Sequence, residues 1–247
     1  MISKSHTKYI QSLQHKKFRD ESGQFIAETP KTVLELLESG RFFCNEIYAT
    51  SDWLSANESL ALLNPDTKFE EVKDFELEKI SSLATPNKVL GVFEKRTHHG
   101  DAQFNGKITL MLDTIQDPGN LGTIIRIADW FGIENIICSE HCADMYNPKV
   151  VQSTMGSLTR VNIFYEDLFG WLKNNKGIKI YATALEGEPI NKMKQLKEAA
   201  IIIGNESKGV NEDLMELVHE KITIPRIGEA ESLNAAVATG IILSHIR

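Results

Sequence analysis

The chain has 247 residues, 42% of them hydrophobic and 25% charged, and a formal net charge of −7. That length is more than one compact core usually organises and suits two domains of a soluble protein. The acidic balance excludes a protein that coats nucleic acid through many phosphate contacts, although charge can still be clustered locally.

No apolar run approaches the roughly 20 residues that cross a bilayer, and the polar start lacks a signal-peptide core. A cytoplasmic protein without a membrane partner is therefore expected. The first twenty residues carry Lys4, Lys8, Lys16, Lys17 and Arg19, with His6 and His15, against Asp20 alone. They read either as a solvated first helix or as an RNA contact. Thr29 and Pro30 before Val33, Leu34, Leu36 and Leu37 predict a capped amphipathic helix closed by Gly40. Strands then fit residues 45–50, 68–72 and 89–93, and helices fit 52–63 and 74–83. Residues 1–96 thus form a small α/β domain with no nucleophile, metal set or phosphate loop of its own. The polar stretch 97–106 reads as an interdomain linker, with His98 and His99 solvated rather than ligating.

From Lys107 onward strands and helices alternate regularly. Strands fit 108–112, 135–138, 161–164, 178–183, 200–203 and 222–224; helices fit 121–131, 167–173, 211–219 and 233–246. Near-continuous apolar strands in such an alternation predict a buried parallel sheet covered on both faces. Ligands of that architecture sit at the carboxyl ends of the strands. Cys44, Cys138 and Cys142 are an odd number without framework spacing, which fits a reducing compartment. Cys138 and Cys142 bracket His141, but no second ligand pair appears, so no metal is expected.

Three turns after strands hold the polar residues of interest. In the first, Pro118 and Gly119 precede Asn120, read as a helix N-cap, and Arg126 follows about two turns later. Neither a Walker Gly-Lys-Ser/Thr nor a Gly-x-Gly-x-x-Gly is present, which weakens nucleotide-hydrolysis and NAD readings. In the second, the wholly apolar strand before Gly204 opens into Asn205 and Glu206, and a carboxylate in that place is aimed at something. In the third, a strand ends near Pro225 and Ser232 reads as the cap of the last helix, with Asn234 inside its first turn.

Together and in this order, the three segments resemble the motifs of the SpoU (TrmH-like) ribose methyltransferases of the SPOUT superfamily, over residues 107–247. Residues 1–96 resemble, more weakly, the L30e-like substrate domain of rRNA-modifying members. The resemblance implies an α/β fold whose parallel-sheet domain is threaded into a trefoil knot, a topology that periodicity alone would not suggest. It implies S-adenosylmethionine as cofactor, held at Ala184, Gly204, Ile224 and Leu233. Asn120, Arg126, Glu206, Ser232 and Asn234 are the implied catalytic set. It also implies a homodimer in which the first-motif arginine reaches the partner's site. The expected reaction is methyl transfer to a ribose 2′-hydroxyl of structured RNA, rRNA before tRNA. An inactive RNA-binding or ribosome-assembly factor that keeps the fold is the alternative from another class.

Overall fold

A computed structural model describes residues 2–96 and 103–247, and His98 and His99 lie outside them. Its contacts divide the chain into two compact units: Met1–Thr97 with Tyr146–Thr159, and His98–Met145 with Arg160–Arg247.

In the first unit, α1 (Lys4–Ser12) and α2 (Lys16–Ser22) lead into β1 (Gln24–Glu28), α3 (Pro30–Glu38) and β2 (Cys44–Ala49). α4 (Ser51–Ala56), α5 (Ser59–Leu63), β3 (Lys68–Glu71), α6 (Asp74–Ile80) and β4 (Val89–Glu94) complete it. The sheet order is β1-β4-β2-β3, antiparallel except for the β2–β3 pair. Ile10, Leu13, Ile26, Tyr48, Leu77 and Val92 are among its fully buried core. Two differences from expectation stand out. The single helix expected over 52–63 is split at Asn57, whose side chain bonds back to the Trp53 carbonyl and ends α4. β1, which no turn signal announced, forms one edge strand and buries Phe25 and Ile26.

The second unit holds β5 (Ile108–Leu112), α7 (Pro118–Trp130), β6 (Asn135–Cys138), β7 (Asn162–Tyr165), α9 (Leu168–Asn174) and β8 (Ile180–Pro189). β9 (Ala199–Ile203), α10 (Glu212–Met215), β10 (Glu220–Thr223) and α11 (Ala235–Ile246) follow. The six strands run β10-β8-β9-β5-β6-β7, and every pairing is parallel, as the apolar strands lead one to expect. β5 and β9 are buried along their whole length. The strand order reverses beside β5, which places the crevice of this sheet at the carboxyl ends of β5, β9 and β8. α7 and α11 pack on each other, and a Cβ on Gly240 would sit 3.7 Å from Ile127.

One helix between β6 and β7, α8 (Pro148–Thr154), groups with the first unit rather than with the residues around it. It packs on β1; the Tyr146 ring lies 4.7 Å from that of Phe25, and its hydroxyl accepts the Arg96 N–H at 2.9 Å.

Candidate active site

The first turn leaves β5 at Asp113, whose N–H donates to the Ile203 carbonyl at 2.9 Å and so extends the ladder toward β9. Asp117 caps α7 by accepting the Asn120 N–H at 2.8 Å, with Pro118 in the first helical position. Asn120 is therefore not the cap that was expected; it lies in the first turn, and its side chain is free to reach sideways. Its amide donates to Glu206 Oε1 at 2.5 Å, and its carbonyl accepts from Asn234 Nδ2 at 2.8 Å. Glu206 Oε1 also accepts the Ala235 N–H at 3.3 Å. Three segments distant in sequence are thus tied by side chains at one end of the sheet.

The third turn also corrects the reading of its cap. Asn234, not Ser232, caps α11, accepting the N–H groups of Ala236 at 3.0 Å and Val237 at 3.3 Å. Its amide remains available for Asn120 because the cap uses only the carbonyl oxygen. Ser232 is exposed in the loop before the helix, two residues short of the capping position. Arg126 is exposed and joins none of these bonds. Six residues along α7 from Asn120 amounts to about 9 Å and a third of a turn around the axis, so the two side chains face different ways.

Of the four residues implied to hold a cofactor, Gly204 and Ile224 follow strands, Leu233 lies before α11, and Ala184 falls inside β8 rather than in a loop after it. Ala184 lies beyond the paired part of β8, where the ladder passes from Ala182↔Lys221 to Glu188↔Ile222 and residues 183–187 leave the register. Gly204 directly follows β9, Ile224 directly follows β10, and Leu233 precedes α11. Gly204 has to be glycine: a Cβ there would sit 2.3 Å from the Gly209 carbonyl carbon, because the loop folds back on itself. That fold is an Asn205↔Gly209 bridge, with N–H···O distances of 3.0 and 2.8 Å, and Gly209 has a φ of +70°.

Sequence reasoning did not single out Asp113, Thr114, Asp117 and Asn211, and it named Asn205 only as part of the turn after β9. The Asp117-Pro118 pair was a legible helix start, and the carboxylate that ends the apolar β5 was as conspicuous as the one after β9.

Elsewhere the polar residues serve structure. Arg19, expected in a basic patch, is only 1% exposed and donates to the Leu13 and Gln14 carbonyls at 2.9 Å each. Lys16 pairs with Asp20 at 2.9 Å, and His6 lies 2.7 Å from Glu46 and 2.6 Å from the Tyr48 hydroxyl. Lys4 and Lys8 stay exposed. Cys142 accepts the Ile115 N–H at 3.3 Å, and a hydrogen bond from Cys138 holds its thiol down at about 7 despite burial. Among the described residues no group of three His, Cys, Asp or Glu side chains is arranged to hold a metal ion.

Comparison with known proteins gives this geometry its context. Residues 107–244 match the SpoU rRNA Methylase family, and residues 4–91 match the MRM3-like substrate binding domain. The 23S rRNA (guanosine(2553)-2′-O)-methyltransferase RlmP of Bacillus subtilis (strain 168) is 39% identical over 141 residues. That match covers 56% of this chain and 57% of RlmP, so the chain spans little more than half of that relative. A TrmH-family chain from Porphyromonas gingivalis superposes with a TM-score of 0.87 at 32% identity, covering 100% of this chain and 98% of its own. An AdoMet-bound rRNA methyltransferase from Sinorhizobium meliloti gives a TM-score of 0.88 at 30% identity, covering 100% and 96%. The chain belongs to the SpoU rRNA Methylase family.

Proposed function

We propose that this protein transfers a methyl group from S-adenosylmethionine to a ribose 2′-hydroxyl of structured RNA, foremost 23S-type rRNA. The observation that carries the proposal is the Asn120–Glu206–Asn234 network, which joins three distant segments at the carboxyl end of the parallel sheet. rRNA is put before tRNA because RlmP and the Sinorhizobium meliloti neighbour are rRNA methyltransferases. Residues 1–96 are the substrate-binding part, 97–106 the linker and 107–247 the catalytic part in this reading.

The loops suit the cofactor. Among the described residues, no backbone hydrogen bond outside the helix and strand ladders engages Gly204, Ile224 or Leu233, which in this reading leaves their N–H and C=O groups for a ligand. Small and apolar residues beside free backbone groups can grip an adenine in a narrow slot. Ala184, Gly204, Ile224 and Leu233 would hold it. Once bound, the cofactor supplies a methyl group already activated on a sulfonium, so the protein's task is alignment and removal of the hydroxyl proton.

Glu206 and the two asparagines hold the turn after β9 against the starts of α7 and α11, fixing the loop on which Gly204 lies. Ser232, exposed two residues before Asn234, would touch the ribose in this reading. Arg126 stays charged, since a guanidinium does not deprotonate in proteins, so it is not the base. Its fork holds the phosphate next to the reacting ribose and favours the oxyanion that develops as the proton leaves. Facing away from Asn120, it serves the site of a second copy. The homodimer this requires is supported by Trp130 on α7 and Val237 on α11, 83% and 52% exposed. Threading of the C-terminal segment into a trefoil knot goes with the family match over residues 107–244 in this reading. No helix among the described residues is long and apolar enough to cross a membrane, in keeping with a cytoplasmic site of action.

The test is ribose-methylation mapping of total rRNA and tRNA from a strain lacking the protein, against its parent. Loss of one 2′-O-methyl position from rRNA establishes reaction and target together. Loss from tRNA moves the substrate, and no loss from either pool, with the gene expressed, supports the inactive assembly factor instead.

A further inference from the structure

Both ends of the loop that carries Glu206 are held by two neighbouring residues at the end of β5. Asp113 is 7% exposed, and its Oδ2 accepts the Asn211 N–H at 2.8 Å, across 98 positions of sequence. Its Oδ1 accepts the Thr114 hydroxyl at 2.9 Å. Thr114 takes the other end: its carbonyl accepts from Asn205 Nδ2 at 3.0 Å. To point that carbonyl so, Thr114 adopts a φ of +59°, a left-handed conformation that a β-branched residue rarely enters. Its N–H is held by Ser139 Oγ at 2.9 Å. Asn205 in turn gathers the loop from inside, its Oδ1 accepting the N–H groups of Ser207 at 2.9 Å and Lys208 at 3.2 Å. Asn211 caps α10, so the bond from Asp113 also fixes where that helix starts.

Resting on the cofactor assignment above, we propose that Asp113 is a positioning residue for methyl transfer: with Thr114 it sets residues 204–211 in the shape that binds S-adenosylmethionine and aims Glu206 at Asn120. Its carboxylate touches no reacting atom in this scheme. It acts by giving the Asn211 backbone N–H a buried acceptor that no water can replace. The isosteric Asp113→Asn still offers a carbonyl oxygen to Asn211 and turns its amide toward the Thr114 hydroxyl, which can accept. Asp113→Ala leaves the Asn211 N–H without a partner.

The experiment compares the 247-residue wild type with D113A, D113N and E28A. Glu28 is a buried carboxylate of the first unit that accepts the Ser82 N–H at 2.9 Å, so E28A controls for general destabilisation. Hydrogen exchange across residues 204–211 and the affinity for S-adenosylmethionine are measured for each. D113A should speed exchange in that loop and weaken the cofactor by about tenfold each, and D113N should stay within about threefold of wild type. E28A should change neither. If D113A proves insoluble, Asn205→Ala opens the same loop from its other end and should give the same two effects. Unchanged exchange across 204–211 in a folded D113A, or in Asn205→Ala if that substitute is needed, overturns the proposal. So does an effect that E28A reproduces. If the wild type itself does not bind S-adenosylmethionine, the methyltransferase reading falls, and loop exchange alone then decides whether Asp113 holds these residues.

Discussion

Replacing Asn120 with alanine removes two hydrogen bonds at once: the amide donated to Glu206 at 2.5 Å and the carbonyl that receives Asn234 at 2.8 Å. The first is charge-assisted and lies in the range of about 1.5–3 kcal/mol; the second is neutral and contributes about 0.5–1.5 kcal/mol. All three side chains are partly open to solvent, so the lower ends apply, giving about 2 kcal/mol for Asn120→Ala. Glu206→Ala loses the same amide bond and the one from Ala235, again about 2 kcal/mol. Because one bond is counted in both variants, the double mutant should be less destabilised than the sum of the singles by about 1 kcal/mol. Urea unfolding of the second unit reads this through Trp171, whose indole ring packs 5.0 Å from Phe104. In turnover the coupling should be stronger, with the double mutant little worse than either single, since residues that act as a unit are non-additive. Singles that add to within about 0.4 kcal/mol would refute the network as a unit, and with it the observation on which the function rests.

Other substitutions separate the roles of the remaining residues. Arg126→Ala should lower turnover at least about a hundredfold while leaving the affinity for S-adenosylmethionine nearly intact; equal loss of both in a titration and a methyl-transfer assay would remove Arg126 from the phosphate. Gly204→Ala places a Cβ against backbone atoms of Gly209 and Val210, which cannot give way. It should destabilise the second unit by about 1–3 kcal/mol, seen as a lowered Tm that added S-adenosylmethionine restores less than in wild type. In the first unit, the Lys73 N–H, with the Ile2 N–H at 3.1 Å, holds the Glu76 carboxyl below its ordinary value. A depressed carboxylate stabilises the fold fully above its unfolded value and loses that contribution as pH falls through the folded one. Glu76→Gln should therefore be less stable than wild type at neutral pH, and the two acid-unfolding curves should converge below about pH 4. A gap that persists at pH 2 would assign the effect to shape rather than charge.

How far the sequence could be read depended on whether a residue answers to its neighbours or to distant ones. The parallel sheet was legible because Ile201, Ile202 and Ile203 form an apolar run that only a strand buried on both faces tolerates. Thr29 caps α3 as read, whereas the starts of α7 and α11 were legible in kind but misassigned in place. Asp117, Asn120, Ser232 and Asn234 are all good caps by type, and which one caps depends on where the preceding turn delivers the chain. β1 was illegible because Phe25 and Ile26 sit between a polar helix and a cap, without the alternation that marks a half-buried strand. Arg19 misled for the opposite reason. Composition counts its charge as surface, while its guanidinium satisfies two carbonyls where the chain passes from α1 to α2, with its stem buried.

The site shows the same division within single residues. Asn234 has one oxygen and one amide, and the structure uses them for different ends: the oxygen caps α11, a local demand, and the amide reaches Asn120, 114 positions away. A sequence displays the first use and hides the second. An aspartate at this position would cap the helix equally well, yet would turn a carboxylate toward the Asn120 carbonyl oxygen, where only a donor fits. Serine would cap it too, but its hydroxyl is too short to do both. The amide side chain is thus selected by the distant partner and not by the helix it begins. That is why the motif could be noticed in the sequence, while its reason came only with the fold.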